Sequence, residues 1–137
     1  MSYLIDTNVL SELRRKSPHP DVVAWMRQRR PDSLYISVLT LGELRKGIET
    51  LADGDKKLQL RDWLENDLPV FFRGRVLLID AAVAQRWGCL QAEMGRPIPA
   101  VDSLLAAQAL HAGMKLVTRN VKDFAYPGLE VINPWSG

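Results

Sequence analysis

Cysteine is almost missing from this chain. The single Cys89 lies inside a helical pattern without a partner, which excludes a disulfide framework and a thiolate metal site alike. Histidine is nearly as scarce. With only His19 and His111 available, a histidine-rich zinc centre is excluded, and His111 reads as a helix-end residue. No apolar run approaches the roughly 18 residues of a membrane span, and only Tyr3-Leu4-Ile5 separates the first two residues from Asp6. The expectation is a cytoplasmic protein with no membrane partner. Neither charge sign dominates: 18 basic against 16 acidic residues leave a net charge of +2, which is compatible with nucleic acid without implying it. Repeats, low-complexity tracts and internal boundaries are also absent.

What is present is ordinary in amount and informative in order. At 137 residues, 47% hydrophobic and 25% charged, the chain has the size of one domain (1–137) that buries its own core. Short apolar runs alternate with helical patterns. Leu4-Ile5, Leu34-Tyr35-Ile36, Val76-Leu77-Leu78-Ile79, Lys115-Leu116-Val117 and Glu130-Val131-Ile132 read as strands. Between them the spacing predicts helices after Asp6, over Asp21–Arg29, and along Leu41, Leu44, Ile48 and Leu51. Others follow over Lys56–Leu68, stopped by Pro69, then after an Asp80 cap as far as Gly95, and over Ser103–Ala112 as far as Gly113. Apolar rather than alternating strands, each followed by a helix, define an α/β domain with a mainly parallel sheet flanked by helices on both faces. The aliphatic and tryptophan-bearing faces at Leu41–Leu51 and Leu60–Leu68 suggest a homodimer.

Three acids stand at comparable places. Asp6 ends the first strand, Glu43 sits near the start of the helix after the second, and Asp102 opens the apolar helix. In a parallel sheet with right-handed crossovers, strand ends and helix starts share one edge, where sites form. Carboxylates meeting there repel unless a cation joins them, and their hard oxygens suit Mg²⁺ or Mn²⁺. Each acid also has a plain structural reading. Asp6 and Asp102 fit N-caps, and Thr40 with Glu43 fits a capping box. Asn120 and Asp123 suit the needs of a polar turn in the same way.

The stretches Leu4-Ile5-Asp6-Thr7-Asn8-Val9-Leu10, Leu41-Gly42-Glu43-Leu44-Arg45-Lys46-Gly47, Asp102-Ser103-Leu104-Leu105-Ala106-Ala107 and Thr118-Arg119-Asn120-Val121-Lys122-Asp123-Phe124, in that order, resemble the motifs of PIN-domain ribonucleases. Spacing and the closing Asn133-Pro134-Trp135 are similar to VapC toxins of type II toxin–antitoxin modules, in their FitB-like branch. The resemblance implies a metal-dependent endoribonuclease that hydrolyses RNA and is silenced by a cognate antitoxin. It also implies that Asp6, Glu43 and Asp102 form the metal site, Asp6 and Asp102 as direct ligands and Glu43 as ligand or water-orienting base. The fourth family position, often Asp, falls on Asn120, with Asp123 three residues on; an amide brings no charge, so a second ion is held less firmly. Thr7, Asn8 and Thr118 are expected to fix the carboxylates, and Arg45, Lys46, Arg119 and Lys122 to meet RNA or antitoxin. Two rivals stand beside this reading: an Mg²⁺-dependent phosphohydrolase on a small substrate, and a non-catalytic PIN-like binding module.

Overall fold

The structure, a computed structural model, describes residues 1–136. Five strands form one sheet in the order β3-β2-β1-β4-β5, with every neighbouring pair parallel. They are β1 (Tyr3–Ile5), β2 (Leu34–Ser37), β3 (Val76–Leu77), β4 (Lys115–Val117) and β5 (Val131–Ile132). After β1 the chain builds outward through β2 to β3, then returns to place β4 on the other side of β1. The order therefore reverses between β1 and β4.

Alternation along these short strands explains why they read as continuous apolar runs. Leu4 and Leu116 turn to one face, where they pack with Leu90, Leu105, Ala106 and Phe124. Ile5 and Val117 turn to the other, against Val9, Leu10, Val22, Trp25 and Ile36. Successive side chains point to opposite faces of a strand, and here both faces are covered. Burying each such side chain contributes roughly 1.5–3 kcal/mol.

The helices are α1 (Thr7–Leu13), α2 (Pro20–Arg27), α3 (Val38–Glu49), α4 (Asp55–Asp62), α5 (Leu68–Phe71), α6 (Ala81–Met94) and α7 (Ala100–Ala112). Asp6 caps α1 by accepting from the Thr7 amide, and Asp80 caps α6 through Val83. Gly95 and Gly113 end α6 and α7 in the left-handed conformation that glycine adopts without strain. In α7 the fully buried Ala106, Ala107 and Ala109 let that helix sit close against the sheet and α6.

Several expectations change. Pro69 does not stop the fourth helical pattern: a π-turn over Trp63–Asp67 joins α4 to α5, and Leu68 donates its amide to Trp63 O, five residues back. Proline removes one donor and its ring crowds the carbonyl four residues before it. Widening the preceding turn accommodates it while Leu64 and Leu68 stay buried. The third strand is shorter than Val76–Ile79. Its ladder with β2 ends at the pair Ser37–Leu77, where β2 itself gives way to α3; the carbonyls of Leu77 and Leu78 accept from Gln108 Nε2 at 3.1 and 3.3 Å, and Leu78 is 67% exposed. The expected dimer faces are consumed within one chain, since Leu44, Ile48, Leu64 and Leu68 are buried and Leu41, Leu60 and Trp63 pack on the same core. Among the described residues no helix is long and apolar enough to cross a membrane.

Candidate active site

Asp6 leaves the sheet at the reversal between β1 and β4, and three residues fasten it there. Its Oδ1 accepts from the Thr7 amide at 2.8 Å; its Oδ2 accepts from Thr118 Oγ1 at 2.8 Å and Asn8 Nδ2 at 3.3 Å. Thr118, the first residue after β4, is fully buried. Its hydroxyl also accepts from Asn8 Nδ2 at 3.1 Å and from the Asn120 amide at 3.1 Å, while Asn8 Oδ1 accepts from the Arg119 amide at 3.2 Å. One small network thus ties the end of β1 to the turn after β4.

Glu43 and Asp102 are placed differently from their sequence expectations, and the difference removes their roles as caps. The N-cap of α3 is Ser37, whose hydroxyl accepts from Leu39 N, so Glu43 lies in mid-helix, a turn beyond the expected capping box. Thr40 Oγ1 is buried without a partner. Glu43 Oε1 instead accepts from Thr7 Oγ1 at 2.6 Å, across to the start of α1. Helix α7 begins at Ala100 with Pro99 before it, which puts Asp102 inside the first turn rather than at the cap. No hydrogen bond reaches its carboxylate among the described residues.

Asp6, Glu43, Asp102 and Asn120 line one cleft of about 440 Å³. Burial raises the pKa of Asp6 above its ordinary 3.8; the bonds from Thr118 and Thr7 act the other way, and the charges of Glu43 and Asp102 raise it further. Asp102 is raised for the same kind of reason, first by burial, then by the charges of Asp123 and Glu43. The three acids therefore share one field. They do not form a closed ligand shell: among the described residues no three His, Cys, Asp or Glu side chains are gathered closely enough to hold one metal ion. As a donor set the cleft suits a divalent cation, because it offers hard carboxylate oxygens, repelling one another, with one carboxylate free of hydrogen bonds.

Asn120 lines this cleft, whereas Asp123 lines a separate hollow with Arg96, Lys122 and Tyr126. Of the four expected basic contacts only Arg119 lines the acid cleft. Arg45 is engaged by Glu49 at 3.4 Å and Glu65 at 3.0 Å, Lys46 sits exposed in the last turn of α3, and Lys122 borders the hollow of Asp123. Sequence reasoning missed Glu12, Arg15 and Trp135, which also line the cleft. Their positions held a signal: Glu12 lies in the helix that Asp6 caps, and Trp135 follows the last strand at the edge that carries the acids.

A parallel α/β sheet with a cleft at its reversal point defines a class of domains that bind their ligands there, and in this chain the cleft is lined by carboxylates. Residues 3–126 match the PIN domain, and the chain belongs to the PIN-domain family. It is 36% identical over 135 residues to "Toxin FitB" of Neisseria gonorrhoeae, covering 96% of this chain and 97% of that protein. It is 33% identical to "VapC ribonuclease Y4jK" of Sinorhizobium fredii, covering 96% of each. Among solved structures, FitAcB from Neisseria gonorrhoeae superposes with a TM-score of 0.88 at 35% identity, over 97% of this chain and 98% of that one. A toxin–antitoxin complex from Klebsiella pneumoniae does so at 0.73 and 26%, over 97% and 98%.

Proposed function

We propose that this chain is a divalent-metal-dependent endoribonuclease, the toxin of a toxin–antitoxin pair, silenced by a cognate antitoxin protein. The observation that carries the reading is the cleft at the β1–β4 reversal. There Asp6, Glu43 and Asp102 face one space, and the latter two act on Asp6 through their charges. The names of the relatives, a toxin and a ribonuclease, and the toxin–antitoxin complex of similar fold support it.

Asp6, Glu43 and Asp102 would hold Mg²⁺ or Mn²⁺, which when bound polarises a phosphodiester oxygen and makes water more acidic. The chain's own residues supply the rest. Thr118 and Asn8 fix the Asp6 carboxylate, so it enters the reaction without reorganising. Thr7 holds one Glu43 oxygen and leaves the other free to take a water proton. Hydrolysis joins the water oxygen to phosphorus and breaks the bond to the leaving ribose oxygen, which receives the proton. Asn120, in the cleft without charge, orients by hydrogen bond. Asp123, outside the cleft lining, adds negative charge that acts on Asp102. A homodimer remains part of the proposal, on surfaces other than the two faces consumed in the core. Sedimentation as a monomer at micromolar concentration would remove it.

The test is to assay single-stranded RNA and a small phosphomonoester side by side with Mg²⁺. RNA cleavage is expected, lost by at least about 10²-fold in Asp6→Ala and Asp102→Ala. Turnover of the monoester alone would replace the ribonuclease by a phosphohydrolase. Toxicity unchanged in both variants would leave a non-catalytic binding module.

A further inference from the structure

The acid cleft opens into a second hollow of about 390 Å³, and the two share Glu12, Arg15, Arg119 and Trp135 as a common wall. The far side is the connector Ser17 to Pro20. We propose that this hollow is a nucleotide subsite. It takes the nucleotide next to the scissile phosphate of a single-stranded RNA, with a backbone phosphate between Arg15 and Arg119 and a base against Trp135. The proposal rests on the ribonuclease reading and says where its substrate strand runs.

Four features make the hollow a built site. Arg119 lies over the Trp135 ring, 5.2 Å from its centroid, and its amide is held by Asn8 Oδ1, the side chain that also steadies Asp6. The cationic rim is thereby registered to the acids. Glu12 is a carboxylate only 5% exposed, and both its oxygens are taken: Oε1 accepts from Arg15 Nη1 at 3.2 Å, Oε2 from the His19 amide at 2.9 Å. It therefore tethers Arg15 at the rim and anchors the connector. Two arginines against this one carboxylate leave a positive charge facing the hollow.

His19 adds a donor. Its Nδ1 accepts from the Asp21 amide at 3.1 Å, which assigns the ring proton of the neutral imidazole to Nε2. Trp135 is half-buried, set in the turn Pro134–Ser136 by its amide bonding to Asn133 Oδ1 at 2.9 Å. Fixed cations beside an indole match a phosphate and an unpaired base together. An acidic peptide would use the cations and leave the indole idle, and a duplex would keep its bases stacked away from it.

The experiment measures binding of a fluorescein-labelled octauridylate to the full chain by anisotropy, in EDTA so that no hydrolysis intervenes, across a salt series. RNA cleavage with Mg²⁺ is measured separately. Trp135→Leu is expected to weaken binding about 10-fold, and Trp135→Phe, which keeps a ring, to stay within about threefold of wild type. Arg15→Gln and Arg119→Gln should each lower the slope of log affinity against log salt by about 0.7. Where Trp135→Leu melts early, the two arginine variants and Trp135→Phe decide.

Affinity and slope unchanged in the arginine variants, with RNA still cleaved, would overturn the subsite and leave the ribonuclease standing. Binding with these variant effects but no cleavage by wild type would do the reverse. Failure of wild type to bind octauridylate would overturn the subsite, and the separate cleavage assay would then decide the ribonuclease reading. Loss of octaglutamate binding by the arginine variants, with RNA binding intact, would overturn the subsite and assign this wall to an acidic protein partner.

Discussion

Divalent cations should stabilise this protein, and the acid cleft sets how the effect depends on charge and pH. Asp6 and Asp102 both titrate above their ordinary 3.8, because burial and neighbouring carboxylates disfavour the ionised forms. A carboxyl whose pKa rises on folding favours the fold fully below its unfolded value. That benefit is lost as pH rises through the folded value. In EDTA the cleft is therefore at its least favourable near neutral pH. Removing one charge with Asp102→Asn, at a group that no hydrogen bond holds, should raise stability by about 0.5 kcal/mol, the scale of partly exposed charge pairs.

A cation that binds only the folded chain adds about 2.7 kcal/mol at 100 times its Kd. For 137 residues, with ~4 °C of Tm per kcal/mol, that is a shift of about 10 °C. Thermal scans at pH 7.5 in EDTA and across an Mg²⁺ or Mn²⁺ series give a crossed pattern. Asp102→Asn is expected to melt slightly above wild type without metal and clearly below it at saturating metal. Lowering the pH toward 3.8 should abolish the wild-type shift as protons compete for the same oxygens. An unmoved wild-type Tm at every metal concentration, or an equal shift in the variant, would refute the reasoning.

Three further outcomes follow from the hydrogen bonds. Thr118→Val keeps the shape of a fully buried residue but strips Asp6, Asn8 and the Asn120 amide of a shared partner. Urea denaturation should show a loss of about 2 kcal/mol, with RNA cleavage falling alongside. Thr7→Val frees Glu43 Oε1, and cleavage should drop about 10-fold while the melting temperature changes little. Glu49 is held down to about 2 by the Arg61 guanidinium bonded to it, so its pair stabilises above about pH 4.5 and fades as pH falls toward 2. Glu49→Gln should accordingly melt below wild type at pH 7 and match it near pH 2.

Short apolar runs and helical spacing made the sheet, most helices and the edge shared by the acids legible. Boundaries failed where a remote group decided them. β3 ends at Leu77 because its neighbour β2 ends at Ser37 and turns into α3, and no pattern within Val76–Ile79 announces it. At Pro69 the local rule was sound, yet the burial of Leu64 and Leu68 outweighed it and the chain widened a turn instead of breaking. In the site, the acids were visible because strand ends and helix starts mark them. Ser37 rather than Thr40 caps α3, which frees Glu43 to meet Thr7, a contact between residues 36 positions apart. Arg45 looked like a substrate contact only until its partners Glu49 and Glu65 were in place.

Asp6 and Thr118, bonded directly, are 112 residues apart in the chain. Ribosomes add roughly 5–20 residues per second, so their contact lags the synthesis of Asp6 by about 6–22 s. Through that interval the central strand lacks its β4 neighbour and Asp6 lacks the hydroxyl that steadies it. A nascent chain therefore carries no working cleft while it is being made. For a nuclease, the order of the strands works as a delay fuse.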